Sequence, residues 1–142
     1  MGQANAARDS LYDLRLCTMS GKDASGFDLS GVIASDADFS GTKFKDAQLS
    51  KGYLVNGKFE NADFTNAIVD RVDFEGANLR GAIFQNAVLT STTFDNADLT
   101  DADFSEAYLG DFDLKRLCKN PKLAGENPKT GNPTRISAGC KN

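Results

Sequence analysis

The sequence predicts an all-β solenoid in which the chain winds as stacked four-sided coils of 20 residues. Three observations lead to this fold class: a large apolar residue at every fifth position, a mostly small residue two places before each of them, and similar residues at a spacing of 20. A period of five matches neither the 3.6 of a helix nor the 2 of a strand. A chain that turns a corner every five residues does point these apolar residues at one axis.

The apolar series covers most of the chain. From Leu29 to Leu114 it has 18 positions, of which 17 hold Leu, Phe or Val and one, Ala34, holds Ala. Residues 27–114 therefore make about four coils, which pair along the axis at roughly 4.8 Å per coil. All ten Phe lie on the central or the small position and are expected to point inward, Phe27 and Phe112 being the two at the small position.

A spacing of 20 tests four sides against other polygons. One predicted side stacks only phenylalanines, and the next stacks only aliphatic residues. Stacked rings add about 0.5–1.5 kcal/mol per pair beyond the area they bury. We therefore predict a core ladder of four rings, formed by Phe44, Phe64, Phe84 and Phe104.

A repeated tripeptide, Ala followed by Asp or Asn and then Leu or Phe, marks a known family. It occurs as Ala62-Asp63-Phe64, Ala77-Asn78-Leu79, Ala97-Asp98-Leu99 and Ala102-Asp103-Phe104. These motifs resemble those of the pentapeptide-repeat family, whose fold is a right-handed quadrilateral β-helix. The resemblance implies that fold for residues 27–114. It implies no particular function, since members of the family do unrelated things.

Both ends of such a rod need a cover, because a terminal coil exposes apolar side chains and unpaired backbone groups. Residues 1–26 are predicted to form an N-terminal helical cap and a lead-in to the coil. The apolar face of that helix consists of Ala4, Ala7, Leu11 and Leu14. Residues 115–142 are predicted to complete a C-terminal cap with two short helices, one at Asp113–Lys119 and one starting at Pro133.

The three cysteines bear on the C-terminal cap. Cys17 precedes the predicted coil, whereas Cys118 and Cys140 follow it, and a disulfide needs Cα atoms within about 7 Å. Cys17 is therefore too far along the rod to pair with either. A bond between Cys118 and Cys140 would staple the Pro- and Gly-rich tail and would indicate an oxidising compartment. The alternative is three reduced thiols in a cytosol.

Charge is unevenly distributed along the chain. Residues 27–114 carry 16 acidic and 6 basic side chains, whereas residues 115–142 carry 1 acidic and 7 basic ones. The simplest interpretation is that the basic tail folds over the acidic last coil. A net charge of −10 on a rod of about 21 Å is also close to that of duplex DNA, which carries about one charge per 1.7 Å. An acidic DNA mimic that inhibits a nucleic-acid enzyme is therefore the alternative function.

The residues that catalysis and metal binding use most are scarce. The sequence has no His, and a solvated acidic wall supplies neither a desolvated carboxylate nor a pocket. The Asp and Asn columns at the corners are turn formers, too separated and mixed for a dedicated cation site. No apolar run is long enough to span a membrane. We expect no enzyme activity, no cofactor, no metal and a protein rather than a nucleic acid as partner.

Six apolar residues interrupt the polar outer surface. Ile33 and Tyr53 are stacked on one side, Ile83 stands alone on another, and the remaining three form a stripe. The residue before each central one should face water, yet Ile68, Val88 and Tyr108 are apolar and 20 apart, hence stacked on one side. The functional interpretation is a stripe that docks a protein partner. The alternative is the β-propensity of Ile, Val and Tyr on a flat wall.

The start of the tail carries a second resemblance. Its segment Leu117-Cys118-Lys119-Asn120-Pro121 and its terminal Cys140 resemble plant pentapeptide-repeat proteins of the thylakoid lumen. The resemblance implies a chloroplast lumenal address for a mature chain whose targeting peptide is absent. The expected function is thus that of a monomeric, non-enzymatic interaction module that binds an unidentified protein through a flat face.

Overall fold

The structure, a computed structural model, describes residues 13–141 and consists of a stack of coils closed by a helical tail. From Asp13 to Tyr108 every fifth residue forms a parallel β-bridge with the residue 20 positions away. Residues 20 apart therefore lie above one another, and four bridge positions complete one turn. The predicted four-sided coil is confirmed.

Each coil has four faces, which we number by their outward bridge residues. Face 1 carries Asp13, Ile33, Tyr53, Asp73 and Thr93; face 2 carries Thr18, Asp38, Lys58, Asn78 and Asp98; face 3 carries Asp23, Lys43, Asp63, Ile83 and Asp103; face 4 carries Asp28, Gln48, Ile68, Val88 and Tyr108. Because the faces follow one another around the axis in this order, face 2 lies opposite face 4.

Successive faces meet at a corner residue, two places after each central residue. Every corner residue from Leu16 to Glu106 has a positive φ, between 54° and 74°. Glycine, Asn and Asp adopt this left-handed conformation at the lowest cost, which explains why they dominate the corners. The prediction that these columns are turn formers is confirmed.

The core is the column of central residues. The rings of Phe44, Phe64, Phe84 and Phe104 stack with centroids 4.7–5.1 Å apart and planes within 7°. Phe94, from the opposite side of the coil, meets Phe84 edge-on at 5.9 Å. Parallel stacking along the axis and edge contacts across it are the two arrangements that aromatic pairs prefer.

Two of the ten Phe do not point inward as expected. Phe27 is 47% exposed and Phe112 is 70% exposed, although the eight Phe at central positions are buried. Elsewhere in the coil the small position holds mainly Ala, because the chain there is close to the neighbouring side. At Phe27 a ring is too large for that position and turns to solvent, whereas Phe112 lies beyond the coil and is exposed on the surface of the tail.

The coil begins earlier than the predicted boundary at residue 27. Leu14, Met19 and Ala24 are buried and continue the five-residue spacing upstream, and Asp13 already bridges to Ile33. The predicted N-terminal helix is therefore wrong for residues 13–16, since Leu14 is a core residue of the coil. The other three residues of its apolar face lie outside the described part of the chain.

The coil also ends earlier than predicted, at Leu109, and α1 follows at Asp111–Cys118. Leu114, predicted as the last central residue, is half-buried in α1 instead. Acidic side chains in the first turn of α1 and basic ones in its last turn both favour the helix, because they complement its dipole. The second helix, α2, spans Thr134–Ala138 with Pro133 at its N-cap.

The tail supplies hydrogen-bond partners that a further coil would have provided. The carbonyl of Ala124 accepts the N–H of Asp101 at 2.8 Å. The hydroxyl of Ser137 accepts the N–H of Phe104 at 2.9 Å, and the carboxylate of Asp113 accepts the N–H of Ser91 at 2.9 Å. The tail thus satisfies three backbone donors of the last coil and covers part of its edge.

A disulfide joins the two helices of the tail. Cys118, the last residue of α1, is bonded to Cys140, just beyond α2, with Cα atoms 5.7 Å apart. Cys17 is a free, buried thiol in the first coil, as the spacing predicts. The disulfide closes a loop that contains Ala124 and Ser137, two of the three residues that accept hydrogen bonds from the last coil.

Removing one ring of the core ladder tests its contribution to stability. Phe84→Ala should lower the free energy of unfolding by about 3–5 kcal/mol, because it leaves a cavity between two stacked rings. Phe27→Ala is the matched control, since it places Ala where the coil prefers it, and should change the free energy by less than about 1 kcal/mol. Urea denaturation followed by circular dichroism measures both. Equal losses would contradict the burial difference.

Reducing the disulfide tests the tail as a cap. The double variant Cys118→Ser/Cys140→Ser should lose about 3 kcal/mol of stability, because the unfolded chain regains the entropy of an open loop. Thermal melts of the wild type with and without a thiol reductant should reproduce the loss. A variant with an unchanged melting temperature would show that the tail holds its position without the disulfide.

Candidate protein-docking face

The candidate stripe lies in register on face 4. Ile68 bridges to Val88, and Val88 bridges to Tyr108. Tyr108 is 64% exposed and Ile68 is 38% exposed, with Val88 half-buried between them. The structure thus brings the three predicted residues together as one continuous apolar column on the outside of the coil.

The backbone beneath the stripe is fully used within the coil. The N–H of Val88 donates to the carbonyl of Ala67 at 3.0 Å, and the carbonyl of Val88 accepts the N–H of Val69 at 2.8 Å. Both bonds run along the axis, from one coil to the next. A partner on this face therefore contacts side chains only, and it cannot add a strand as it could at an open sheet edge.

The last two coils of face 3 carry the tail and are not a free surface there, whereas Asp23 and Lys43 lower on this face are exposed. The side-chain amide of Asn127 donates to the carbonyl of Gly81 at 3.2 Å, and that of Asn132 donates to the carboxylate of Asp103 at 2.9 Å. Ile83, between these contacts, is 6% exposed. Its apolar character, unexplained by the sequence, follows from burial where the tail crosses the face.

The acidic residues of the faces have a local structural role. Asp28 accepts the N–H and the hydroxyl of Ser30, and Asp98 accepts the same two groups of Thr100. The pKa of Asp28 is below its usual value because these hydrogen bonds favour the carboxylate. Where an Asp stands three residues before a corner, it therefore fixes the turn. The sequence signal is Asp-x-Ser/Thr, which occurs in the coil at Asp23, Asp28, Asp38, Asp63, Asp98 and Asp103.

Asp103 is the most buried of these carboxylates. Burial acts to raise its pKa, but hydrogen bonds from Ser105, Thr130 and Asn132 outweigh burial and hold the pKa below its usual value. Neutral donors thus attach the tail to face 3 at this point.

The predicted attraction between the basic tail and the acidic last coil is present at Arg116, whose guanidinium binds both carboxylate oxygens of Asp95 at 2.9 Å.

A cleft of about 590 Å³ lies between α1 and the adjoining corner of the last coil. Two of its lining polar side chains already have partners: Arg116 binds Asp95, and Asn120 donates to the carbonyls of Phe94 and Ala97. Within residues 13–141 no three side chains of His, Cys, Asp or Glu come together as a metal site. In the same range, no helix has the length and apolarity that crossing a membrane requires.

The repeated coil identifies the family. The sequence model described as a pentapeptide repeat region matches residues 28–104, more than half of the chain. The chain belongs to the pentapeptide-repeat family. The coil of this pentapeptide-repeat protein is accordingly a right-handed quadrilateral β-helix, as the tripeptide motifs predict.

Solved structures of other family members resemble this pentapeptide-repeat protein. A pentapeptide repeat protein from the Arabidopsis thaliana thylakoid lumen is 32% identical and has a TM-score of 0.57, with 94% of this chain and 90% of that chain covered. QnrB1, a plasmid-mediated fluoroquinolone resistance protein, is 22% identical over 68% of this chain and 67% of its own, with a TM-score of 0.42. HetL from Nostoc sp. strain PCC 7120 is 25% identical over 68% and 55%, with a TM-score of 0.24. No curated protein matches the chain significantly.

Acid should destabilise the coil through the turn carboxylates. Seven Asp residues have a pKa below the usual 3.8: Asp13, Asp23, Asp28, Asp38, Asp70, Asp98 and Asp103. Since the folded pKa is the lower one, their stabilisation is present above pH 3.8 and is lost as the pH falls towards about 2, the pKa of Asp13. The urea midpoint should be flat between about pH 7 and 5 and should fall by about pH 3.

A variant separates this effect from general acid unfolding. Asp28→Asn, Asp38→Asn and Asp98→Asn together keep an oxygen that accepts the turn hydrogen bonds but does not titrate. The triple variant should lose less stability than the wild type between about pH 5 and 3. Identical pH profiles for the two proteins would contradict the assigned role of the carboxylates.

Proposed function

We propose that this pentapeptide-repeat protein is a non-enzymatic interaction module of the thylakoid lumen that binds a protein partner through face 4. The observation that supports it most is the exposed, in-register stripe of Ile68, Val88 and Tyr108. Exposed apolar side chains that adjoin one another mark interaction sites more often than single ones do. The proposed working form is a monomer, since the coil completes its own core.

The lumenal address is supported by two features. The relative from the Arabidopsis thaliana thylakoid lumen covers nearly the whole chain at 32% identity. The disulfide between Cys118 and Cys140 suits a compartment that keeps structural thiols oxidised.

The stripe has two interpretations: a surface that docks a partner, or side chains that are present only because they suit β-structure. The two differ in one respect. β-Propensity alone requires only that Ile, Val and Tyr suit the wall. It does not explain why polar residues occupy the same position throughout face 2, where the backbone is equivalent. The stripe on face 4 extends over three coils, whereas face 1 carries two adjacent apolar residues, Ile33 and Tyr53, and face 3 carries one, Ile83, which is buried. The length of the stripe therefore favours docking.

The alternative function, an acidic DNA mimic, receives less support from the geometry. Asp28, Asp38 and Asp98 direct a carboxylate oxygen at their own corner instead of presenting both oxygens outward. The stripe on face 4 interrupts any continuous acidic wall. A supercoiling assay with gyrase tests the alternative directly, and inhibition at stoichiometric protein would revive it.

A charge placed in the stripe tests the proposal. Val88→Asp should fold normally, because Asp occupies the equivalent position on every face, and Thr90 follows it as Thr65 and Thr100 follow Asp63 and Asp98. It should reduce capture of the partner from lumen extract at least about tenfold, since covering a charged carboxylate with an apolar partner surface is costly. Crosslinking from position 108 followed by mass spectrometry measures capture.

The matched control adds the same charge on the opposite face. Asn78→Asp on face 2 keeps the oxygen that accepts the N–H of Arg80, and it should leave capture within about twofold of the wild type. Equal capture by Val88→Asp and the wild type would exclude face 4 as the docking surface.

A further inference from the structure

The corner between face 4 and face 1 differs chemically from the other three. Lys51 and Arg71 lie there 20 apart, hence stacked in consecutive coils, with φ of 64° and 54°. The other corner columns of the described coil hold Gly, Asn, Asp, one Leu and one Glu, and no cation. The only basic column of an otherwise acidic rod thus borders the apolar stripe.

These two side chains depart from the local rule of the fold. At a left-handed corner Gly, Asn and Asp cost least, and a long side chain that lacks a local hydrogen bond to the backbone costs more. Within residues 13–141 Lys51 has no ion-pair partner, and Arg71 pairs only with its chain neighbour Asp70 at 2.8 Å. Sequences tend to depart from such rules where function requires it.

Apolar side chains lie on both sides of this basic corner. Ile68 and Val88 are on face 4, and Tyr53, 47% exposed, is on face 1, two residues after Lys51. Val55, also on face 1, is half-buried. The corner is therefore a basic ridge with an apolar slope on each side.

The area of one face limits how much of a partner it can contact. Each face spans about three extended residues and is therefore roughly 10 Å wide. The structure has nearly five coils spaced about 4.8 Å apart, so a face is roughly 24 Å tall. One face thus offers a few hundred Å² at most, well below the ~800 Å² per partner of a standard interface. A partner on face 4 has to extend around a corner. The tail crosses the upper part of face 3, whereas α1 contacts the corner between faces 4 and 1 only in the last coil, where Asp113 accepts the N–H of Ser91. Lys51 and Arg71 lie in the coils below that contact and are exposed.

We propose that the partner is a protein that wraps the corner between face 4 and face 1 with an acidic, partly apolar segment. Its carboxylates pair with Lys51 and Arg71, and its apolar side chains pack on Ile68 and Val88 on one side and on Tyr53 on the other. This proposal rests on the proposed function and adds the second face and the charge of the partner.

A short acidic segment fits the local charge better than an extended polyanion. The stretch 27–114 has a net charge of −10, and the next corner of face 4, beside face 3, carries Asp46 and Glu106. Duplex DNA or an anionic lipid surface would meet those acids as well as the two cations. A segment confined to the ridge avoids them, so the chemistry favours a discrete protein segment.

Paired variants with a defined probe test the proposal. Lys51→Asn/Arg71→Asn places at both corners the residue that Asn56 and Asn61 already supply at φ of 59°, so the fold is retained. Lys45→Asn/Lys58→Asn is the matched control, with the same change of charge on faces 3 and 2. The probe is a fluorescein-labelled peptide of about a dozen residues that alternates Glu with Leu or Phe. A second peptide has Lys in place of Glu.

We expect the acidic peptide to bind and to lose about tenfold in affinity with the corner variant, the control remaining within about twofold. Added salt should weaken binding because exposed charge pairs are screened. Amide chemical shifts of labelled protein should change at Lys51, Tyr53, Arg71 and Val88. Absence of binding, equal loss in the control variant or tighter binding of the Lys peptide would overturn the proposal. The proposal would also be overturned if a DNA duplex or phosphatidylglycerol vesicles bound more tightly than the acidic peptide.

Capture from lumen extract separates this inference from the proposed function. If both Val88→Asp and the corner variant abolish capture and the control does not, both proposals are supported. If Val88→Asp alone abolishes it, face 4 docks a partner without the basic corner and this inference fails. If neither variant has an effect, the proposed function fails as well.

Discussion

The hydrogen bonds that run along the axis from coil to coil constrain the rest of the molecule. They take the N–H and C=O groups at the bridges and corners, such as those of Val69 and Val88, and leave the four faces with side chains alone. They also hold each central residue above its counterpart 20 positions away, so that the Phe ladder forms with spacings near 5 Å. Core and scaffold are thus one arrangement, and the outer side chains are free to differ between coils.

An axial ladder cannot satisfy its own ends, and the tail is built around that need. In the regular coils the backbone N–H groups of central and corner residues donate to carbonyls of the next coil. In the last coil, three of them donate instead to the carboxylate of Asp113, the carbonyl of Ala124 and the hydroxyl of Ser137. These acceptors come from three separate segments, which the helices α1 and α2 and the disulfide keep in place. The tail is Pro- and Gly-rich and has little core of its own, so its position depends on these contacts and the covalent bond.

The repeat was readable from the sequence because each of its positions has one dominant requirement. A central residue must be large and apolar, and a corner residue must tolerate a positive φ, so Phe44 or Asn56 is predictable from spacing alone. The ends were harder. Ala24 is small enough to hide the continuing period, and Leu114 keeps the period while its neighbours favour a helix. At Leu114 local helix chemistry prevailed over the five-residue spacing, and no rule of the repeat anticipates that competition.

The stripe itself was predictable, but its free surroundings were not. Ile83 looks equivalent to Ile68 in the sequence, yet the tail covers it, because Asn127 and Asn132 bond to groups on either side of it. Side chain–backbone contacts across 46 residues leave no local signal.

The tail on face 3 limits the surfaces at which this protein can bind a partner. With the last two coils of face 3 occupied by the tail and face 2 lined by polar residues that fix turns, faces 4 and 1 hold the exposed apolar side chains of the coil. The corner that joins them is also the one whose long cations are costly for the backbone. A scaffold gains nothing in stability from Lys51 or Arg71 at a left-handed corner, where Asn would serve the fold better. The proposed acidic partner gives these two cations a role that the fold does not, although Leu16 and Glu106 also place long side chains at left-handed corners.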